Sequence, residues 1–234
     1  MSEPALPSTP PEAIRGIRRE TVIVKGRTFL IERPDESDRM LDHPRVKSEL
    51  LDRDFMPYWT DLWPAARMLA KWTVEREWPA GLHALEIGCG LGLAGVVALS
   101  RGVRVTFSDY DATALTFAAR NAKLNGFKDF DTLQMDWNHP PQGLRFRVIL
   151  ASDLVYETRN VSPIVMLIKR VLADDGVALV TDQDRIPAAL LKELLAREGL
   201  PYKTQMLRAG EPGGDRLKGT LYRITQPGGR DPLA

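Results

Sequence analysis

The run Leu85-Glu86-Ile87-Gly88-Cys89-Gly90-Leu91-Gly92 sets three alternating glycines behind an acid in an apolar stretch. Glycine adopts backbone angles closed to other residues and carries no side chain, so such a run permits a sharp turn and close approach of a ligand to the main chain. Two chemistries use a turn of this kind. A pyrophosphate can rest on it, and Gly90-x-Gly92-x-x-Gly95 with Asp109 about 20 residues on has the spacing of an NAD fingerprint. The other ligand is a cationic nucleoside, S-adenosylmethionine, with a sulfonium and an ammonium and no phosphate. The glycines alone leave the two readings even. Glu86 would repel a pyrophosphate and attract a cation, and Asp136-Trp137 suits pairing with and stacking on an adenine. Those features, and an antiparallel end to the chain, favour S-adenosylmethionine.

These residues must be held by strands and helices, and the hydrophobic pattern supplies them. From residue 83 on, short apolar runs alternate with helical periodicity. Strands are expected at 83–87, 103–108, 131–135, 146–151 and 177–181. Helices are expected at 92–100, 112–125 (closed by Gly126), 162–172 and 187–198, with another inside 63–78 that begins near Pro64. Repeated strand–helix units give a mostly parallel sheet with helices on both faces. Runs at 202–207 and 220–225 have no helix between them and must pair antiparallel. The fold class is therefore α/β, Rossmann-like, with seven strands and a C-terminal hairpin. Upstream, 21–24 and 28–31 form a small hairpin around Gly26, and 33–54 is charged and without a clear pattern. The expected organisation is a flexible segment 1–20, hairpin and linker 21–54, a core domain 55–226 and a flexible tail 227–234.

Composition narrows the function. The chain has 234 residues, 32 basic and 31 acidic side chains and a net charge of +1, so nothing attracts it broadly to nucleic acid or an anionic membrane. One cysteine, Cys89, and three scattered histidines offer no disulfide and no metal-ligand spacing. No metal is expected. The Ser/Pro-rich start does not read as a signal peptide, and no apolar run is long enough for a membrane helix. The expectation is a cytoplasmic monomer.

Taken together, Glu86-x-Gly88-x-Gly90-x-Gly92, the acid Asp109 closing the second core strand and Asp136-Trp137 after the third resemble the successive motifs of the seven-strand class I methyltransferases. With Trp63-Pro-Ala-Ala and Asp153-Leu-Val-Tyr156 added, the chain looks like the narrower methyltransferase family 16, which includes protein-lysine methyltransferases. The resemblance spans about residues 55 to 225. It implies that the turn around Gly88, Gly90 and Gly92 lies against the methionine part of the cofactor and that Asp109 bonds the ribose hydroxyls. It further implies that Asp136 and Trp137 hold the adenine, that Trp63 and Ser152 touch the cofactor, and that Asp153 and Tyr156 shape the acceptor site. Plainer roles stay open: Asp109 as a helix cap, Trp137 as a core aromatic, Asp153 as a turn cap and Tyr156 as core packing. Enzymes acting on flat base or amide nitrogens carry two prolines where this chain has Leu154 and Val155, which argues against such acceptors. The stretch Thr181-Asp182-Gln183-Asp184-Arg185 departs from the family pattern and leaves the acceptor unassigned.

The expected reaction is methylation of a lysine on a protein partner. A small-molecule amine as acceptor, or a cofactor-binding scaffold without turnover, are the alternatives. Lysine must lose a proton first, which costs about 4.6 kcal/mol at pH 7 for an unperturbed amine. A dry pocket beside positive charge lowers that cost. An acidic rim made by Asp52, Asp54, Asp61 and Asp153 would suit a protein lysine, and an aromatic lid a small amine.

Overall fold

A computed structural model describes residues 9–35, 40–53, 56–210 and 216–234. It contains a two-stranded hairpin, β1 (Ile17–Val24) and β2 (Arg27–Pro34), followed by α1 (Pro44–Arg53) and α2 (Pro64–Val74). The core continues with β3 (His83–Ile87), α3 (Leu93–Leu99), β4 (Arg104–Asp109), α4 (Ala112–Leu124), β5 (Phe130–Gln134) and β6 (Phe146–Ser152). It closes with α5 (Thr158–Val171), β7 (Leu172–Asp182), α6 (Ala188–Arg197), β8 (Tyr202–Ala209) and β9 (Leu217–Ile224).

The seven-stranded sheet has the order β5-β4-β3-β6-β7-β9-β8, parallel except that β9 runs antiparallel to both β7 and β8. Successive residues of the central strands feed opposite cores. Ala84, Val148, Leu150, Val177 and Leu179 pack with Leu69, Trp72 and Val96 of α2 and α3. Leu85, Ile149, Ala151, Ala178 and Val180 pack with Val165, Ile168 and Leu191 of α5 and α6. Two buried faces explain why these strands read as continuous apolar runs rather than alternating ones. After β3 the chain moves outward through β4 and β5, then returns to place β6 on the other side of β3. The order reverses there, and loops leaving the carboxyl ends of β3 and β6 diverge to open a crevice.

The hairpin turns at Lys25 and Gly26, both with positive φ (50° and 78°), the backbone that matches the twist of a two-residue hairpin. Its β2 edge is docked on α4 by two side-chain amides one helical turn apart. Asn125 accepts from Leu30 N (2.9 Å) and donates to Leu30 O (2.7 Å). Asn121, fully buried, accepts from Glu32 N (2.7 Å) and donates to Glu32 O (3.0 Å) and Leu91 O (2.9 Å). Each amide presents a donor and an acceptor as a neighbouring strand would, so the exposed edge is closed without further sheet.

Several boundaries differ from expectation; β7, for one, starts at Leu172 rather than at 177. The first strand starts at Ile17, and a 3-10 turn, Pro11–Ala13, precedes it. Thr9, also expected in a flexible segment, is buried and hydrogen-bonded to Asp111 through both its N–H and its hydroxyl; residues 1–8 lie outside the described part. Helix α1 occupies part of the stretch that lacked a pattern. The tail is tied down as well, because Arg223 pairs with Asp231 and donates to Leu233 O (3.0 Å). No helix of the described residues is long and apolar enough to cross a membrane.

Asn121→Ala is expected to lower the stability to urea by about 2–4 kcal/mol, since it strands three buried backbone groups. Asn125→Ala, at a half-buried site, should cost only about 1 kcal/mol. Equal, small losses for both would show that the amides do not dock the hairpin.

Candidate functional site

The crevice at the carboxyl ends of β3, β4, β5 and β6 holds a cavity of about 720 Å³, within the range of roughly 300–1,000 Å³ usual for small-ligand sites. Every residue expected at the cofactor or beside the Asp-x-x-aromatic motif lines it: Trp63, Glu86, Gly88, Gly90, Gly92, Asp109, Asp136, Trp137, Ser152, Asp153 and Tyr156.

One wall is the glycine turn. Gly88, Gly90 and Gly92 all have positive φ, and a Cβ on Gly88 would sit 2.5 Å from Leu154 Cδ2 and 3.2 Å from Trp137 Cζ2. Any side chain there would push the turn off the loops after β5 and β6. Behind it, Glu86 lies on the face of β3 toward α3, accepts from Gly95 N (3.0 Å) and leaves no room for a Cβ at Gly95. Asp109, the last residue of β4, accepts from Gly90 N (2.9 Å) with one oxygen and from Asp111 N (3.0 Å) with the other. The helix cap is Asp111, which accepts from Thr113 N (2.8 Å). Asp109 instead ties the end of β4 to the glycine turn. Burial lifts the Glu86 carboxyl to about 8 and Asp109 to about 6, against opposing backbone hydrogen bonds. The Cys89 thiol is also raised by burial, so it is no activated nucleophile.

The far wall follows β5. Asp136 accepts from Asn138 N (2.8 Å), Asn138 Nδ2 (2.9 Å) and His139 Nδ1 (3.1 Å), bracing its own turn. Although burial opposes it, these donors hold its carboxyl below the usual range. Trp137 Nε1 is buried without a hydrogen-bond partner.

Aromatic rings close the remaining end. Tyr58 meets Trp63 edge-on at 6.1 Å and Tyr156 at 5.0 Å between ring centroids, and Trp63 Nε1 donates to Tyr58 O (2.8 Å). Burial raises the Tyr156 hydroxyl to about 12, against a hydrogen bond with Asn160. Asp153 takes a positive φ (60°), and its N–H donates to Thr181 O (2.9 Å). Its buried carboxylate accepts from Gln183 Nε2 (2.7 Å) and pairs with Arg185 Nη1 (3.0 Å). Burial lifts this carboxyl, while Arg185 and Gln183 pull it back.

Sequence reasoning missed Tyr58, Trp59, Asp111, Asn160 and Arg185, all of which line the cavity. The cluster Met56-Pro57-Tyr58-Trp59 was a usable signal, since three aromatics precede α2 within six residues. Trp59 Nε1 donates to Thr9 Oγ1 (3.1 Å), a partner fifty positions away that no local pattern announces. The expected acidic rim is corrected: Asp61 pairs with Arg33 and Asp153 with Arg185. Asp54 and the side chain of Asp52 lie outside the described residues.

A pH dependence follows. Glu86 moves from an ordinary 4.5 to about 8 and Asp109 from 3.8 to about 6 on folding. Within those windows the two groups hold more protons in the folded chain than in the unfolded one, so their contribution to stability is greatest at the acid end and falls as pH rises. Thermal unfolding of the ligand-free protein should show this decline, and Glu86→Gln should flatten it between about pH 4.5 and 8. An unchanged slope in the variant would remove Glu86 as its source.

The family described as lysine methyltransferase matches residues 59–192, more than half of the chain. The protein-lysine N-methyltransferase rrg1 of Schizosaccharomyces pombe is 26% identical over 227 residues, covering 89% of this chain and 68% of its own length. Human histone-arginine methyltransferase METTL23 is 30% identical over 119 residues, covering 46% of this chain, which thus spans 60% of that relative's length. Among solved structures, the N-methyltransferase NodS of Bradyrhizobium japonicum, in complex with S-adenosyl-L-homocysteine, superposes with a TM-score of 0.56. It is 17% identical, covers 78% of this chain and 96% of its own, and bears on the fold alone. The chain belongs to the lysine methyltransferase family, whose members are S-adenosylmethionine-dependent methyltransferases, the enzyme class and cofactor that its motifs implied.

Proposed function

We propose that this chain methylates the side-chain nitrogen of a lysine on a protein partner. The observation that carries the reading is the match of residues 59–192 to the family described as lysine methyltransferase, taken with the buried carboxylate of Asp153, which lines the cavity together with Tyr58, Trp63 and Tyr156. The cofactor half supports it. Two buried carboxylates and three bare glycines line that part, and the arginines among the described lining residues, Arg159 and Arg185, belong to the loops and helix after β6 and β7. Such a donor set fits a cationic nucleoside better than a phosphorylated one.

In this reading Asp109 takes the ribose hydroxyls, using the free lone pairs of oxygens already fixed by Gly90 and Asp111. Gly88, Gly90 and Gly92, with Glu86 behind them, face the methionine part. Trp137, and Asp136 through the turn it braces, hold the adenine; Trp63 and Ser152 border the reacting end. When bound, S-adenosylmethionine supplies a methyl group on a positive sulfonium. The chain then needs only to present a neutral amine in line and exclude water. Tyr58, Trp63 and Tyr156 keep the pocket dry and so lower the cost of losing the ammonium proton. Asp153 accepts from the amine's remaining N–H and fixes where its lone pair points.

A small amine as acceptor is the second reading. It draws support from the aromatic cluster and from the arginines that match Asp61 and Asp153, which leave no acidic rim among the described residues.

Incubation with radiolabelled S-adenosylmethionine and a cell lysate separates the readings. Label in protein, released as methyl-lysine on hydrolysis, is expected. Label confined to small molecules would move the acceptor to a free amine, and none at all would leave a binding scaffold. Asp109→Ala should weaken S-adenosylhomocysteine binding about 100-fold with the circular dichroism retained, through loss of charge-assisted hydrogen bonds. Tyr156→Phe should lose most turnover, with that affinity changed less than about twofold, if the hydroxyl's hydrogen bond with Asn160 positions the acceptor wall.

A further inference from the structure

The loop that leaves β7 carries an arginine into the acceptor end of the cavity. Arg185 Nη1 stands 3.0 Å from Asp153 Oδ1, and its guanidinium carbon lies 5.7 Å from the centre of the Trp63 ring. Asp153 Oδ1 is buried and receives no aligned hydrogen bond, so Arg185 holds it by charge rather than by a directed bond. Gln183 fixes the other oxygen, and the positive φ of Asp153 fixes the carboxylate's approach. The carboxylate thus stays in place whether or not the guanidinium does.

Arg185 itself is held lightly. Its side chain is 30% exposed, the next residue, Ile186, is 94% exposed, and Asp184 takes a positive φ (58°). Its backbone is anchored at both ends, by Arg185 N to Asp182 Oδ1 (2.9 Å) and by Ala188 N to Arg185 O (2.9 Å), so the freedom lies in the side chain. A desolvated carboxylate beside an aromatic face is a receptor for organic cations, and here the chain's own cation fills it.

Resting on the reading of this end as the acceptor site, we propose that Arg185 is a resident competitor for the acceptor cation. Its guanidinium takes the place between Asp153 and Trp63 that an incoming alkylammonium or guanidinium group occupies, and must leave for the acceptor to enter. The site is then selective by displacement. A group that binds only weakly to Asp153 and Trp63 does not dislodge the arginine, because apparent affinity is lowered by the fraction of time the site is filled.

Calorimetric titration with methylguanidinium and with n-butylammonium, in the presence and absence of S-adenosylhomocysteine, tests this. Arg185→Ala, and Arg185→Gln as a closer match in size, should bind both cations about tenfold more tightly than the wild type, and Asp153→Asn added to either should abolish the gain. The same loop bond to Asp182 survives in both single variants, because it uses the backbone. Equal cation affinity with and without Arg185 would overturn the proposal. So would acetate binding by the wild type that is lost in Arg185→Ala, since that would make Arg185 a reader of acidic partners. Failure of the wild type to take up S-adenosylhomocysteine would sink the cofactor assignment instead, and the cation titrations of the ligand-free protein would still decide the role of Arg185.

Discussion

Two carboxylates buried without a counter-cation, at the carboxyl ends of neighbouring parallel strands, set the terms for the whole molecule. Glu86 and Asp109 are satisfied by backbone N–H groups of Gly95, Gly90 and Asp111 rather than by lysine or arginine. Those amides can reach them only if the chain between β3 and α3 turns tightly, and so the turn must be glycine. Gly95 must lack a side chain because Glu86 stands where its Cβ would be. Burial opposes both charges, so in the ligand-free protein the arrangement costs more as pH rises and the two acids ionise. It is supported by apolar layers on both faces of the sheet, and a cationic ligand would reverse the cost. Stability is given up where ligand selectivity is gained.

Much of this was legible from the residues. The boundaries of β3 fall where the apolar run does, and α4 ends before Gly126, whose φ of 87° is the left-handed turn expected of a helix-terminating glycine. The strands that lead to Asp109 and Asp153 were also found, because β4 and β6 are buried between neighbours, and the edge strand β5 before Trp137 was found from its place in the alternation of strands and helices. What failed was non-local. Thr9 looks like part of a polar leader until Asp111 and Trp59 are beside it. Helix α1 is amphipathic, but it is charged on most of its surface, with Val46 buried against the rest, so its few apolar residues did not announce it. Arg185 sits in a loop with no motif, and its meaning comes only from Asp153, thirty-two residues earlier in the chain.

The acceptor end therefore has a different electrostatic character from the one its acids suggested. Counting carboxylates in the sequence gave an acidic mouth, but two of them are matched by arginines from separate elements, β2 and the loop after β7. Charge on a surface is a property of pairs, and the pairing partner is set by topology. The contrast with the cofactor end, where acids are left uncompensated, divides one cavity into two chemistries.

The docking of the hairpin bears on how the chain reaches this state. The hairpin's edge is completed by Asn121 and Asn125, and Thr9 by Asp111, at separations of 89 to 102 residues. Closing loops of that length is slow compared with forming local helices and turns. On a ribosome, the hairpin emerges before β3, β4 and α4 and has nothing to rest on until α4 has followed. Until then its apolar side, Val22, Phe29 and Ile31, stays uncovered, and the hairpin gains its core only when the helix arrives.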